Sequence, residues 1–135
     1  MNRAELNRLH TRIFEAASQV YEELGPGLDP AVYKTCFLHE LRLQGLMFKR
    51  DVFFPVFYKN IKINKDIPVE ILVENQAIIE IVSDPVISPL QMSSLQTRLK
   101  ISGKKIGIIV TFNAPGIIDG YRKLNNTNLT QNRGE

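Results

Sequence analysis

Apolar residues near the start of the chain recur every three or four positions. Leu6, Leu9, Ile13, Phe14, Ala17, Val20, Tyr21 and Leu24 fall on one stripe of a 3.6-residue repeat. That spacing predicts an amphipathic helix over residues 3–24, ended by Gly25-Pro26-Gly27. A second helix follows directly. Asp29 suits the N-cap, and Pro30 suits the first helical position, where its missing N–H is not needed. Leu28 and Tyr33 occupy the two positions of a hydrophobic staple. Phe37, Leu38 and Leu41 continue the buried stripe, and Gly45 is expected to close it.

The period then changes to two. Phe48 to Ile63 alternates and is aromatic-rich (Phe53, Phe54, Phe57, Tyr58), which predicts a strand turning at Lys59-Asn60 into another that runs through Glu70. Pro55 marks an edge strand or a bulge, and Pro68 an approach to Glu70 with no neighbour on its N–H side. Asp66 to Asp84 reads as a hairpin around the loop Glu74-Asn75-Gln76. Val69, Ile71 and Val73 then oppose Ile81, Ile79 and Ala77 on a wholly apolar face. The other face sets Glu70 against Glu80, Leu72 against Ile78 and Pro68 against Val82. A shorter loop would slip the register and drive Glu80 into the apolar face, a costly place for an unpaired carboxylate.

Ser88-Pro89 opens a third helix with Met92, Leu95 and Leu99 inward, closed by Ser102-Gly103. Lys105 to Phe112 is apolar enough for a strand buried on both faces. Ile117, Ile118, Tyr121 and Leu124 have the spacing of a last helical turn or two. Beyond them the chain is polar, which predicts one domain over residues 1–124 and a disordered tail over 125–135. The order α-α-β-β-β-α-β is that of an α/β (α+β) fold with a mixed four-stranded sheet flanked by helices.

A chain of 135 residues, 44% of them hydrophobic, supports one substantial core. The single Cys36 excludes an intrachain disulfide, and between Tyr33 and Phe37 it reads as a small buried hydrophobe. His10 and His39 are far apart in sequence, so a metal site would have to be mostly oxygen-ligated. The charged start MNRAELNRLH lacks the apolar core of a signal peptide and no run approaches a membrane span, so a cytoplasmic location is expected. A net charge of +3 permits nucleic-acid binding without requiring it. Acidic residues nearly match the basic ones, which describes a mixed solvated surface better than a dedicated groove.

The candidate chemistry lies with Glu70 and Glu80. Two acids on facing strands repel, so the pair needs a cation or a raised pKa, unless both simply reach solvent at a sheet surface. A Mg²⁺ ion, commonly held by one or two carboxylates plus water and phosphate oxygens, is the functional reading. Gln91, Ser94 and Arg98 share one polar helix face at i, i+3 and i+7. Arg98 is either a partner for one of the two carboxylates or a solvated side chain.

Glu23-Leu24-Gly25-Pro26-Gly27-Leu28, Val32-Tyr33, Glu40-Leu41, Gly45-Leu46, Ile71-Leu72-Val73-Glu74, Glu80 and Leu99-Lys100-Ile101-Ser102-Gly103 occur in that order. In this the chain, from about Ile13 to Leu124, resembles the GxxExxY proteins, a small bacterial branch of the PD-(D/E)XK nuclease superfamily. The resemblance implies a restriction-endonuclease-like core and a Mg²⁺-dependent site. There an Asp on one strand and a Glu on the next hold the ion, a Lys two residues beyond that Glu serves the attacking water, and a Glu on an early helix completes the site. By position the helix Glu falls at Pro30, beside Asp29. The metal Asp falls at Glu70, the Glu stands at Glu80, and the Lys falls at Val82. The Arg two residues before the metal Asp falls at Pro68, and a Gln and a Tyr of the third helix fall at Ser94 and Arg98.

So many departures on a retained apolar skeleton imply a catalytically degenerate member acting as a binding or interaction module. Glu70 and Glu80 are then vestigial metal residues, and Asp29, Tyr33, Gln91, Ser94 and Arg98 line the old pocket. No cofactor is expected, or only weakly bound Mg²⁺ or Mn²⁺. The partner is a nucleic acid or a protein, with a homodimer through Phe53 to Tyr58 also open. The alternative is a working divalent-metal nuclease in which Lys65 or Lys100 replaces the missing lysine.

Overall fold

In the computed structural model, which describes residues 1–128, the stripe of the first helix faces inward. Helix α1 (Arg3–Leu24) buries Leu9, Ile13, Ala16, Ala17 and Val20. Asn2 and Glu5 cap it reciprocally, the Asn2 side chain accepting from Glu5 N while Glu5 accepts from Asn2 N. Helix α2 (Pro30–Leu43) begins where the sequence places it, with the Asp29 carboxylate accepting from Ala31 N at 2.8 Å. The staple takes another form. Leu28 is 42% exposed, and its N–H instead donates to the Tyr33 hydroxyl at 3.0 Å. That hydroxyl in turn donates to Gly25 O, and the Tyr33 ring stacks on Phe112 at 4.8 Å between centroids. Tyr33 therefore locks the turn between the two helices.

Five strands form the main sheet, in the spatial order β1-β4-β5-β6-β7. They are β1 (Phe48–Phe54), β4 (Ile67–Val73), β5 (Ala77–Val82), β6 (Ile106–Thr111) and β7 (Tyr121–Asn125). Only β5 and β6 run parallel, joined across one face by helix α3 (Pro89–Ser102). The short strands β2 (Phe57–Tyr58) and β3 (Ile61–Lys62) form a separate ribbon. It turns at Lys59-Asn60 with φ of +49° and +69° at those residues. The expected strand turning into Glu70 is thus cut into pieces, and β1 is an edge strand that stops before Pro55.

The expected four strands become five because Tyr121–Asn125 is not helical. The i, i+4, i+7 spacing of Ile117, Tyr121 and Leu124 imitates a helix. The packing has period two: Tyr121 enters the core under α1 and α2, and Leu124 packs on the α3 side. The chain stays packed just past residue 124. Asn126 is 4% exposed and donates to Leu99 O and Lys104 O. Of the expected tail, residues 129–135 lie outside the described residues.

Two clusters sandwich the sheet. Ile71, Val73, Ile79, Ile108 and Val110 face α1 and α2, while Leu72, Ile78 and Ile109 face Leu95 and Leu99 of α3. α3 sits close on β6 because Gly107 has no side chain: a Cβ there would lie 2.9 Å from Leu95 Cγ. Among the described residues no helix is long and apolar enough to cross a membrane.

Candidate functional site

The β4–β5 hairpin keeps its expected register for three pairs, Val73↔Ala77, Leu72↔Ile78 and Ile71↔Ile79. The turn between them places Glu74 and Asn75 at φ +51° and +59°. There the ladder ends. The expected pairs Glu70–Glu80, Val69–Ile81 and Pro68–Val82 are not formed.

The cause is a change of phase in β4. Residues two apart in a regular strand share a face, yet Ile71 joins the α1/α2 cluster and Val69 the α3 cluster. β1 shifts alongside: Phe48 packs on the α1/α2 side, Val52 and Phe54 on the α3 side. Between the pairs Arg50↔Ile71 and Val52↔Val69 lies Asp51, at φ +53°. The wholly apolar hairpin face is therefore corrected, since Val69 and Ile81 pack in different clusters. Local departures of this kind re-aim side chains, and the side chain re-aimed here is Glu70.

Glu70 Oε1 accepts from the Ile81 N–H at 2.9 Å, so a side chain takes a strand donor just past the end of the ladder. Its other oxygen is 3.6 Å from Lys34 Nζ, which also lies 3.9 Å from Asp51 Oδ1. Glu80 follows the regular alternation of β5 onto the α3 side, where its Oε2 is 3.0 Å from Arg98 Nε. Arg98 is itself held: Nε also donates toward Pro68 O at 3.4 Å, and Nη1 donates to Ser94 Oγ. The two acids thus form no facing ladder pair, and each meets a cation from a different helix, Lys34 of α2 or Arg98 of α3.

All four side chains are only partly open, at 26% for Lys34, 30% for Glu70, 20% for Glu80 and 30% for Arg98. Burial pushes the Glu80 carboxyl above the usual carboxylate range. Arg98 pulls it back, and the nearby Glu70 charge adds a smaller push upward.

A divalent ion needs free carboxylate oxygens. Glu70 Oε1 is taken by the Ile81 amide, Glu70 Oε2 faces Lys34, and Glu80 Oε2 faces Arg98. Among the described residues no three or more His, Cys, Asp or Glu side chains converge on a common point. Three of the four carboxylate oxygens thus already face an amide, an ammonium or a guanidinium, and this donor set fits a resident cation only if Lys34 and Arg98 give way.

The remaining candidates are scattered. Asp29 is an exposed N-cap and Tyr33 is core. Gln91 completes the α3 capping box with Ser88 and donates to Asp84 Oδ2 at 3.0 Å. Ser94 supports Arg98. Val82 packs against the α3 cluster, as an apolar residue should. Lys65 and Lys100 are exposed, and among the described residues neither forms an ion pair with Glu70 or Glu80. Cys36 packs against the core and His39 is exposed. Lys34 and Asp51 were not singled out from the sequence. Lys34 sits on the polar flank of an otherwise buried stripe, and no local pattern links it to an acid on a distant strand.

A family model for the PD-(D/E)XK nuclease superfamily matches residues 7–124. No curated protein and no solved structure gives a match.

Proposed function

The chain belongs to the PD-(D/E)XK nuclease superfamily, and from that premise we propose that it is a degenerate member whose nuclease fold serves binding rather than catalysis. The observation that carries this reading is the ion pair between Arg98 and Glu80, 3.0 Å apart. A metal ion in such a cleft does two things: it neutralises phosphate charge and acidifies a bound water. A guanidinium tethered to α3 supplies the first and offers no coordination position for the second. It also lets a half-buried acid persist without an ion, since an unpaired charge there is strongly destabilising. Two residues beyond Glu80, Val82 offers neither a charge nor a proton donor. Arg98 Nε also lies 3.4 Å from the carbonyl of Pro68, the position at which the resemblance to the GxxExxY proteins would put an Arg.

The test combines calorimetry with Mg²⁺ and Mn²⁺ and cleavage assays on single- and double-stranded DNA and RNA. The expected result is no saturable metal binding and no cleavage that depends on Glu80. Metal binding and cleavage that both vanish in Glu80→Ala would overturn the reading.

One observation favours the alternative of a rearranged nuclease. Lys34 Nζ, 3.6 Å from Glu70, is an ammonium supplied from α2 to a site whose usual lysine position is Val82. On that reading Lys34, not Lys65 or Lys100, steadies the attacking water, and Arg98 must swing away to free Glu80. Cleavage abolished by Lys34→Ala and retained in Lys65→Ala and Lys100→Ala is its signature.

A further inference from the structure

The arm between β1 and β4 has a composition that the cleft does not explain. Residues 57–66 are all exposed. Among them Phe57 is 62% exposed, Tyr58 62%, Ile61 64% and Ile63 38%, and Phe53 at the root of the arm is 60% exposed. The ribbon has two residue pairs, Phe57↔Lys62 and Tyr58↔Ile61. Directly opposed residues share a face, so Phe57 lies on one side and Tyr58 with Ile61 on the other. A flap evolved to lie on its own domain would be apolar on one side only. This arm is apolar on both, and among the described residues nothing covers either side.

Such a short ribbon is marginal in water by itself. Besides its own ladder it has, among the described residues, one backbone bond, Ile63 N to Val56 O at 2.9 Å, and one ion pair, Lys62 to Asp66 at 3.7 Å. A contact that covers the arm would supply the missing burial.

We propose that the arm and the adjoining half of β1 form a homodimer interface, with the occupant a second copy of this chain related by a two-fold axis. Area supports this. The three aromatic and two isoleucine side chains present on the order of 500 Å² of apolar surface. That is near the upper end for a patch on a monomer and enough for the apolar centre of an interface needing about 800 Å² per partner. Charge supports it too. The arm carries Lys59 at its tip; at its root lie Lys65 and two acids, Asp66, which also pairs with Lys62 at 3.7 Å, and Asp51, which pairs with Lys34 at 3.9 Å and has a side chain 72% exposed. A two-fold contact is reciprocal, so a tip-to-root arrangement places each copy's lysine against the other's acids. A tip-to-tip arrangement would oppose like charges and is disfavoured. The open edge of β1 is blunted by Lys49, Arg50 and Asp51 and ended by Pro55. The contact is accordingly one of side chains and not an added strand.

Sedimentation equilibrium of the full chain, from micromolar to submillimolar concentration, tests this. The expected average mass rises with concentration toward that of two chains. The variant Phe57→Ser/Ile61→Ser, which alters both faces of the arm at exposed positions, stays at one chain, with the thermal midpoint of wild type at dilutions where both are monomeric. Lys59→Glu weakens the dimer measurably at low salt and less at high salt. Leu90→Ser, on α3 and 78% exposed, leaves the dimer intact. A wild-type chain that remains monomeric throughout overturns the proposal, even if the arm variant loses binding to a nucleic acid or another protein. So does a Phe57→Ser/Ile61→Ser variant that dimerises as tightly as wild type, and so does a dimer lost in Leu90→Ser.

Discussion

Arg98 Nε and Glu80 Oε2 stand 3.0 Å apart across the junction of α3 and β5, and the carboxyl is nevertheless pushed up by its burial. The pair therefore offsets part of a desolvation cost that Glu80 would otherwise bear alone. Truncation by Arg98→Ala leaves that acid uncompensated and is expected to cost about 1–3 kcal/mol at neutral pH. Adding Glu80→Gln to Arg98→Ala restores most of the loss. Urea unfolding of the two single variants and the double variant measures this as a coupling energy of about 1 kcal/mol or more. A coupling near zero would mean that the pair contributes nothing to the fold.

The raised Glu80 pKa also has a sign in the pH profile. An ordinary glutamate titrates at about 4.3; in the folded chain Glu80 holds its proton to higher pH. Between those two values the native state carries more protons than the unfolded chain, so this group makes stability fall as pH rises through the window. Its contribution is most favourable below the unfolded value. Glu80→Gln removes that slope. Stability curves of wild type and variant, measured by denaturant unfolding from the ordinary glutamate range up to neutrality, are expected to diverge with increasing pH in favour of the variant. A constant difference between the curves rejects the assignment.

Much of this fold is legible in the hydrophobic pattern because most elements obey a single period. α1, α2 and α3 begin and end at residues with the right capping chemistry, and β6 is apolar up to its last residue, Thr111. What escapes the pattern escapes for physical reasons. β7 carries helix-like spacing, and only its antiparallel pairing with β6 decides the matter. The phase change at Glu70 is invisible locally, since it arises from β1 and β4 shifting together around Asp51. Strict alternation therefore predicts a facing pair of acids where the chain makes two separate ion pairs. Arg98 was within reach of sequence reasoning because it shares a helix face with Ser94. Lys34 was not, because its partner Glu70 is brought near only by the packing of α2 beside the sheet.

Two buried polar atoms lie outside any hydrogen bond among the described residues, His10 Nε2 and Tyr121 Oη, on rings 5.5 Å apart. Burial pushes the His10 pKa down, and Lys123 adds to the push. The unfolded chain then binds a proton more readily than the folded one, so the stability that neutral His10 permits is complete above about 6.5 and is lost as pH falls through the folded value. Tyr121→Phe removes a hydroxyl that has lost its water partners. It is expected to be neutral or stabilising by up to about 1 kcal/mol. His10→Phe is expected to flatten the acid limb of the stability curve. Thermal unfolding of both variants from pH 5 to 8 checks these outcomes; a strongly destabilised Tyr121→Phe would mean that its hydroxyl has a partner after all.

The residue that closes the fold is Asn126. Its side-chain amide donates to Leu99 O and to Lys104 O, each at 2.8 Å, and its backbone N–H donates to Lys105 O at 2.9 Å. Leu99 O, in the last turn of α3, also accepts from the capping Gly103 N–H at 2.9 Å, so the Asn126 amide adds a second donor to that carbonyl. One buried amide therefore ties the C-terminal end of α3 to the start of β6, one residue beyond Arg98. Asn126→Ala leaves two carbonyls short of this donor and is expected to cost about 2 kcal/mol. Asn126→Asp, which sets a negative charge against the same oxygens, should cost more. A chain ending at residue 124 should behave like the alanine variant or worse. Hydrogen exchange gives the sharper reading: amides in the last turn of α3 lose protection in Asn126→Ala while those of α1 keep theirs. Uniform loss across both helices would show that Asn126 acts on global stability and not on the seating of α3.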